Sequence, residues 1–246
     1  MLLSARNVSK SFGRLRALDD ASLEIAEHEI VGLIGPNGAG KSTFFNCLAG
    51  DLAPTSGQVV FEGRDVTRAP PETHARLGVG RTFQVPATFE DMTILENVMV
   101  GAFLRHPGRH EAREAAMDAV AFAGLAALAD APARSLGTPG RKRLEIARVL
   151  ATGPKLMLLD EALAGLTPVE IREAIGLVRR IHERGVTLVI VEHIMEVIMT
   201  LAERVLVFNQ GKTIASGKPR EVVTNPAVIE AYLGRRHARD AGAHAP

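Results

Sequence analysis

The stretch Gly35-Pro36-Asn37-Gly38-Ala39-Gly40-Lys41-Ser42 decides the fold of this 246-residue chain. It matches G-x-x-x-x-G-K-[ST], in which glycines allow successive backbone N–H groups to converge on one anion. The lysine of this pattern reaches the β and γ phosphates of a nucleotide, and the hydroxyl of Ser42 can bind Mg²⁺. We therefore predict that the residues from Gly35 through Thr43 bind a nucleotide, and that Lys41 also takes part in catalysis.

The flanking sequence fits a strand, this loop and a helix in succession. Ile30 to Ile34 is an apolar run that predicts a buried strand, and a helix starting near Lys41 would add its positive end to the loop. Apolar runs at Leu156–Leu159 and Thr187–Val191 alternate with helical spacing, as in Val169–Glu183. This alternation predicts a parallel sheet in an α/β core.

Two regions depart from that alternation. Leu2 to Val8 and Ala21 to Ile25 alternate between apolar and polar residues, which predicts an N-terminal antiparallel β layer. Between about Val85 and Leu136, strand signals disappear and helical stretches rich in alanine follow, at 94–103 and 111–128. This change predicts an inserted helical lobe.

The expected organisation is one domain over residues 1–234. Its core comprises 1–84 and 137–234, and its helical lobe comprises 85–136. Residues 235–246 have no apolar periodicity, and we predict a disordered tail there.

A pair of carboxylates follows the predicted Leu156–Leu159 strand. In doubly wound sheets, ligands bind beyond the carboxyl ends of the strands. Asp160 is therefore expected to hold Mg²⁺, directly or through water, and Glu161 to polarise the attacking water as a general base. The alternative is a strand that runs into a solvated acidic turn.

Two further polar residues follow predicted strands. Gln84 comes after the run that begins at Val79, at the entrance to the helical lobe, and His193 follows Val191 and Glu192. Glutamine can ligate Mg²⁺ or hold the attacking water, and histidine can contact a γ-phosphate. Taken singly, each is more often a surface or capping residue, so their assignment to catalysis depends on the order of all the motifs.

Composition excludes several other classes of protein. A formal net charge of +1 gives no electrostatic reason to bind nucleic acid, and the single cysteine, Cys47, excludes an internal disulfide. The N-terminus has no signal-peptide pattern, and the longest low-polarity stretch, 119–129, falls far short of the ~20 residues of a spanning helix. Any action at a membrane is therefore expected from the cytosolic side.

In the order of its motifs, the chain resembles ABC-type ATPases from Met1 to about Gly234. The resemblance implies ATP as the substrate together with Mg²⁺. It assigns Gln84 to sensing the membrane partner and His193 to a switch at the γ-phosphate. It also implies that Phe12 stacks on adenine, with an ordinary half-buried phenylalanine as the alternative. The segment 164–167 resembles the loop that crosses to the other subunit of the family's head-to-tail dimers.

A narrower resemblance points to the ATPases of branched-chain and hydrophobic amino-acid importers. It is carried by five stretches, namely 80–84 (GRTFQ), 95–98 (LENV), 144–148 (LEIAR), 161–168 and 226–234 (PAVIEAYLG). The last is expected to lie outside the ATP chemistry and so marks the subfamily, although relatives for urea or short amides belong to the same group. The implied partners are membrane permease subunits, a second ATPase subunit and, indirectly, a secreted solute-binding protein.

The chain departs from the family pattern twice. Where L-S-G-G-Q is usual, it has Leu136-Gly137-Thr138-Pro139-Gly140, with a helix expected after Gly140. Gly137 has no hydroxyl and Pro139 has no N–H to bind the partner's ATP. We therefore expect a hydrolytically asymmetric heterodimer whose partner supplies the usual signature. The second departure is Ala162, which stands where proline usually follows the catalytic glutamate.

The expected function is that of a transport ATPase bound peripherally at the cytoplasmic face of the membrane, and three other functions are its alternatives. A soluble ABC ATPase of translation or DNA repair needs a second ATPase half or a long coiled coil, and neither is recognisable here. A small-molecule kinase leaves Gln84, His193 and the 164–167 segment unexplained. A regulatory subunit that hardly hydrolyses ATP stays open because of the altered signature.

Overall fold

The computed structural model describes residues 1–233, so the predicted tail at 235–246 lies outside the described residues. The strands, in chain order, are β1 (Leu3–Phe12), β2 (Leu15–Ile25), β3 (Ile30–Ile34), β4 (Ser56–Phe61), β5 (Arg64–Asp65), β6 (Val79–Arg81), β7 (Leu156–Asp160), β8 (Thr187–Val191), β9 (Arg204–Asn209) and β10 (Lys212–Gly217). The α-helices are α1 (Lys41–Ala49), α2 (Pro71–Leu77), α3 (Ile94–Ala102), α4 (Arg109–Phe122), α5 (Thr138–Ala151), α6 (Pro168–Glu183), α7 (Met195–Leu201), α8 (Pro219–Val222) and α9 (Pro226–Leu233). None of the helices within residues 1–233 combines the length and apolar character needed to cross a membrane.

The chain divides into two compact units. Among the described residues, the first comprises Met1–Pro70 together with the chain from Val189 onward, and the second comprises Pro71–Leu188. The chain passes from the second unit back to the first within β8. The whole of the predicted helical lobe, 85–136, falls within the second unit.

The first unit contains the predicted antiparallel layer, as a sheet of strand order β2-β1-β4-β5. Leu3 pairs with Ile25 on one side and with Phe61 on the other. Strands β1 and β2 are longer than the predicted 2–8 and 21–25, because their ladder continues through polar residues such as Lys10 opposite Leu18. Backbone hydrogen bonds extend a hairpin without requiring an apolar face.

The nucleotide-binding sequence in the first unit is anchored on a buried strand. Strand β3 has the predicted bounds, is buried throughout, and runs parallel to β9, which pairs antiparallel with β10. Its last residue, Ile34, packs in an apolar cluster with Val207 of β9 and with Val222 and Val228 of the C-terminal helices. After the loop, α1 buries Phe44, among other residues. The loop is therefore held by buried structure at both ends.

In the second unit, β6 and β7 are parallel, with Arg81 opposite Leu158. Helices α3, α4 and α5 share an apolar cluster that includes Val98, Ala116 and Leu144. Helix α4 ends at Phe122, earlier than the predicted 128, because Gly124 follows, a residue common just after helix ends. Residues 126–128 form a 3₁₀ turn instead.

The expected start of α5 after Gly140 is wrong. The helix begins at Thr138 with Gly137 as its N-cap, so Pro139 lies in the first turn. Proline suits this position because the first N–H groups of a helix have no partner within the helix. The altered signature is therefore itself the first turn of α5. Helix α6 differs from its prediction by one residue and is capped by Thr167, whose side chain forms a capping box with Glu170.

Candidate active site

Glycines shape the loop between β3 and α1 in the first unit. At Gly35 the backbone φ is 149°, and a Cβ there would lie 2.2 Å from the carbonyl oxygen of Phe208. At Gly40, φ is 102°, and a Cβ would lie 2.7 Å from the carbonyl oxygen of Ala17. Both positions exclude any side chain, which explains why the motif requires glycine here.

The start of α1 provides donors for an anion. Its N-cap is Gly40, and no side chain caps its first N–H groups. These groups and the helix dipole favour negative charge at this end. The Nζ of Lys41 donates to the carbonyl oxygens of Gly35 and Pro36, at 2.7 and 3.0 Å, and Ser42 is exposed beside it. This combination of ammonium, backbone donors and hydroxyl fits the phosphates of a nucleotide.

Phe12 and His193 also lie in the first unit. Phe12 is the last residue of β1 and is 46% exposed, and the Nζ of Lys10 is 5.3 Å from the centroid of its ring. The exposed ring is accessible for contact with a ligand. His193 is exposed just beyond β8.

The C-terminal segment contacts the loop. Burial raises the pKa of the Tyr232 phenol, and a hydrogen bond with the backbone of Gly35 opposes that shift. Val228, one helical turn earlier in α9, packs in the apolar cluster that includes Ile34. The 226–234 segment, which was expected to lie outside the ATP chemistry, thus contacts the backbone of the phosphate-binding loop at Tyr232. Sequence reasoning missed this contact because the two residues are far apart in the chain.

In the second unit, the structure brings together Gln84, Asp160 and Glu161. The Nε2 of Gln84 donates to Oε2 of Glu161 at 2.9 Å. Asp160 is buried, its N–H donates to the hydroxyl of Thr82 at 3.1 Å, and its carboxylate lies 3.8 Å from the guanidinium of Arg81. Because β6 and β7 are parallel neighbours, the residues that follow them meet at one edge.

Glu161 has an uncommon backbone conformation. Its φ is 45°, in the left-handed region that costs a residue with a side chain roughly 1–2 kcal/mol. Its carbonyl oxygen accepts from the N–H of Ala164 and from Nζ of Lys142, each at 3.1 Å. The residue at position 162 is alanine, so no proline ring restricts the backbone of Glu161.

Sequence reasoning missed two charged residues of α5 that contact this group. Lys142 and Glu145 are 8% and 3% exposed. Burial raises the pKa of the Glu145 carboxyl, and the hydrogen bond that Oε1 accepts from the N–H of Phe83, at 2.7 Å, opposes the shift. Their spacing of three positions equally fits a solvated helix face, and the 144–148 stretch served only to indicate the family.

The side chains present fit Mg²⁺, which prefers oxygen ligands and usually retains several waters. The Asp160 carboxylate is such a ligand, and so is the amide oxygen of Gln84, whose Nε2 is the atom that donates to Glu161. The third predicted ligand, the Ser42 hydroxyl, lies in the first unit and the other two in the second.

Two family models match the chain. One is described as ABC transporter and matches residues 18–164, and the other is described as Branched-chain amino acid ATP-binding cassette transporter and matches residues 212–238. The branched-chain amino acid transport ATP-binding protein LivG of Salmonella typhimurium is 40% identical, and that of Escherichia coli K12 is 39% identical, each covering 95% of this chain and 98% of the relative. The lipopolysaccharide export ATP-binding protein LptB of Acidithiobacillus ferridurans is 36% identical over 95% of this chain and 97% of the relative.

Solved structures give the same result. A nucleotide-free ATP-binding cassette from an ABC transporter superimposes with a TM-score of 0.87 and 31% identity, covering 95% of this chain and 99% of that one. The ADP conformation of the cassette MJ1267 superimposes with a TM-score of 0.86, 31% identity and the same coverage. The chain thus shares its whole described fold with these cassettes.

Proposed function

The chain belongs to the ABC transporter family, and on that premise we propose that it powers an importer of branched-chain or other hydrophobic amino acids. As a member of this family it binds ATP or ADP and is an ATPase coupled to transport. The observation that carries the substrate class is the match at 212–238 to the branched-chain amino acid model. That segment follows the last ATP motif, so ATP chemistry alone does not account for it.

Overall identity is a weaker guide to the cargo. LptB is 36% identical and is named for lipopolysaccharide export, whereas LivG is 40% identical and is named for branched-chain amino acids. The C-terminal match favours amino acids over lipopolysaccharide. Importers of urea or short amides are the alternative that the shared sequence stretches leave open.

ATP binding is assigned to the first unit. The phosphates are bound by the ammonium of Lys41 and by backbone N–H groups from Gly35 to Thr43, among which Pro36 has none to donate, and the ring of Phe12 stacks on adenine. His193 contacts the γ-phosphate. Mg²⁺, when bound, neutralises phosphate charge, and Ser42, Asp160 and Gln84 are the residues that would hold it.

Hydrolysis is assigned to the Glu161 carboxylate. It accepts the proton of the attacking water as the water oxygen bonds to the γ-phosphorus and the bond to the ADP oxygen breaks. The hydrogen bond from Gln84 to Oε2 fixes the orientation of the carboxylate, which leaves Oε1 for the water. This is a positioned general base, whose removal typically costs ~10² or more in rate.

The proposed assembly contains two ATPase subunits on permease subunits at the cytoplasmic face of the membrane, with a secreted binding protein supplying the solute. The domain at 1–234 transmits closure to the permease through its helical lobe at 85–136. In the altered signature, Gly137 caps α5 without a side chain and Pro139 contributes no N–H. We therefore propose a heterodimer in which the partner's usual signature contacts the ATP bound by this chain, while the altered signature of this chain contacts the partner's ATP. The alternative is that this chain is a regulatory subunit that hydrolyses ATP only weakly.

The test of substrate class is ATP-driven uptake by the assembled transporter in vesicles. Accumulation of labelled leucine but not of urea or acetamide is expected. Uptake of the amides alone would overturn the amino-acid assignment while leaving the ATPase assignment intact. Phosphate release by the purified chain, measured with and without its partners, separates an ATPase from a regulatory subunit.

The test of asymmetry uses the same vesicles. Glu161→Gln in this chain is expected to stop uptake, and the matching change in the partner ATPase is expected to be much milder. Equal losses from the two changes, or rapid ATP turnover by this chain alone, would exclude the asymmetric heterodimer.

A further inference from the structure

Helix α5 contains two buried charged side chains that have no part in the reaction described above. Lys142 and Glu145 are three positions apart, so they lie on the same face of the helix. A buried charge is unfavourable unless it is paired or hydrogen-bonded, so the contacts of these side chains need an explanation.

Glu145 holds the backbone beside Gln84. Its Oε1 accepts from the N–H of Phe83 at 2.7 Å, and Phe83 is the residue immediately before Gln84. The guanidinium of Arg81 lies 4.6 Å from the centroid of the Phe83 ring. The carboxylate of Glu145 therefore ties the segment that leads to Gln84 to α5.

Lys142 holds the backbone of Glu161. Its Nζ donates to the Glu161 carbonyl oxygen at 3.1 Å, and the N–H of Ala164 donates to the same oxygen. Because φ of Glu161 is 45°, this conformation depends on contacts that favour it.

We propose that Lys142 and Glu145 are positioning residues that couple the signature helix to the Gln84–Glu161 pair. The two contacts of α5 are linked to each other, because Gln84, next to the Phe83 that Glu145 binds, itself donates to the Glu161 that Lys142 binds, at 2.9 Å. The first turn of α5 is the altered signature, which in the proposed dimer contacts the partner's ATP. Movement of α5 on contact with that ATP therefore reorients the base of this chain's own site, an inference that rests on the proposed function.

The test compares Lys142→Met with Lys142→Arg and Glu145→Leu with Glu145→Gln in the full-length chain, assembled with its partners. Lys142→Met and Glu145→Leu are each expected to lower kcat roughly tenfold. This effect is smaller than the ~10²-fold or greater loss of rate on removal of a general base, because the base itself is retained. The Kd for ATP, measured by calorimetry, should stay within about twofold, because the phosphate-binding loop is unchanged. Lys142→Arg and Glu145→Gln retain a donor and an acceptor and should largely restore kcat.

Lys218→Met, which removes an exposed lysine outside the site, is the matched control and should match the unsubstituted chain. Adding Lys142→Met to Glu161→Gln should lower kcat by much less than tenfold, because residues that act through one group are not additive. Equal kcat for the two members of either pair, or a parallel loss of ATP affinity, would overturn the positioning role. Absence of ATP turnover in the unsubstituted assembly would instead overturn the proposed function.

Discussion

The side-chain amide of Gln84 donates to the carboxylate of Glu161 over 2.9 Å, although the two residues are 77 positions apart in the chain. They meet because β6 and β7 are parallel neighbours in register, with Arg81 opposite Leu158, so both strands end at the same edge. The bond occupies Oε2 of Glu161 and fixes the direction of the other oxygen. A general base needs this kind of fixed direction to accept a proton from water.

Glu161→Gln is expected to lower kcat by ~10² or more, because the amide cannot accept the proton. ATP affinity should be unchanged, since Glu161 is not part of the phosphate-binding loop. Phosphate release and calorimetry measure the two quantities separately. Glu183→Gln, an exposed residue at the end of α6, is the control. Near-normal turnover by Glu161→Gln would mean that another residue is the base.

Lys41→Ala is expected to abolish tight binding of ATP, because it removes the ammonium of the phosphate-binding loop. It also removes the bonds to the carbonyl oxygens of Gly35 and Pro36, so the loop loses part of its own support. Calorimetry in the presence of Mg²⁺ gives the affinity, and Lys218→Ala is the charge-matched control. Unchanged affinity in Lys41→Ala would show that this loop does not bind the phosphates.

Phe12→Ala is expected to weaken ATP binding by roughly 1–3 kcal/mol, the range for stacking of an aromatic ring on a base. The melting temperature should change little because Phe12 is 46% exposed. Phe103→Ala removes an equally exposed phenylalanine, at 44%, and should leave ATP affinity unchanged. A lower melting temperature with unchanged affinity would instead assign Phe12 a structural role.

Cys47 is expected to resist thiol reagents in the folded chain. Burial raises the pKa of its thiol to about 11, although the charge of Lys10 opposes the shift, so the reactive thiolate is scarce at pH 7.5. Mass spectrometry after treatment with a maleimide should show slow labelling in buffer and rapid labelling in urea. Stoichiometric labelling of the native chain within minutes would contradict the buried, protonated state.

The free energy of unfolding is expected to fall with rising pH through Glu145, in the window between the ordinary glutamate pKa of 4.5 and the raised pKa of this carboxyl. Burial raises the pKa of this carboxyl above its ordinary value, so in this window the folded chain binds more protons than the unfolded chain, and stability decreases as pH rises. Glu145→Gln lacks this titration. Urea denaturation should therefore show Glu145→Gln gaining stability relative to the unsubstituted chain as pH rises, and a constant difference would contradict the prediction.

Much of the fold and of the candidate site was predictable because its signals are local. The glycine spacing from Gly35 to Gly40, the apolar run of β3 and the carboxylates after β7 each depend on residues close together in the chain. The start of α5 was expected after Gly140, but the helix already begins at Thr138, because the first turn of a helix accepts proline.

The sequence by itself determined the phosphate-binding loop, the buried strands and the order of the motifs, since steric limits on glycine and the burial of apolar runs act over a few residues. Only the tertiary structure decided that Lys142 and Glu145 face the backbone beside Glu161 and Gln84, and that Tyr232 reaches Gly35. Helical periodicity shows which residues share a face. The neighbour of that face is set by packing between segments distant in the chain, and no local pattern records it.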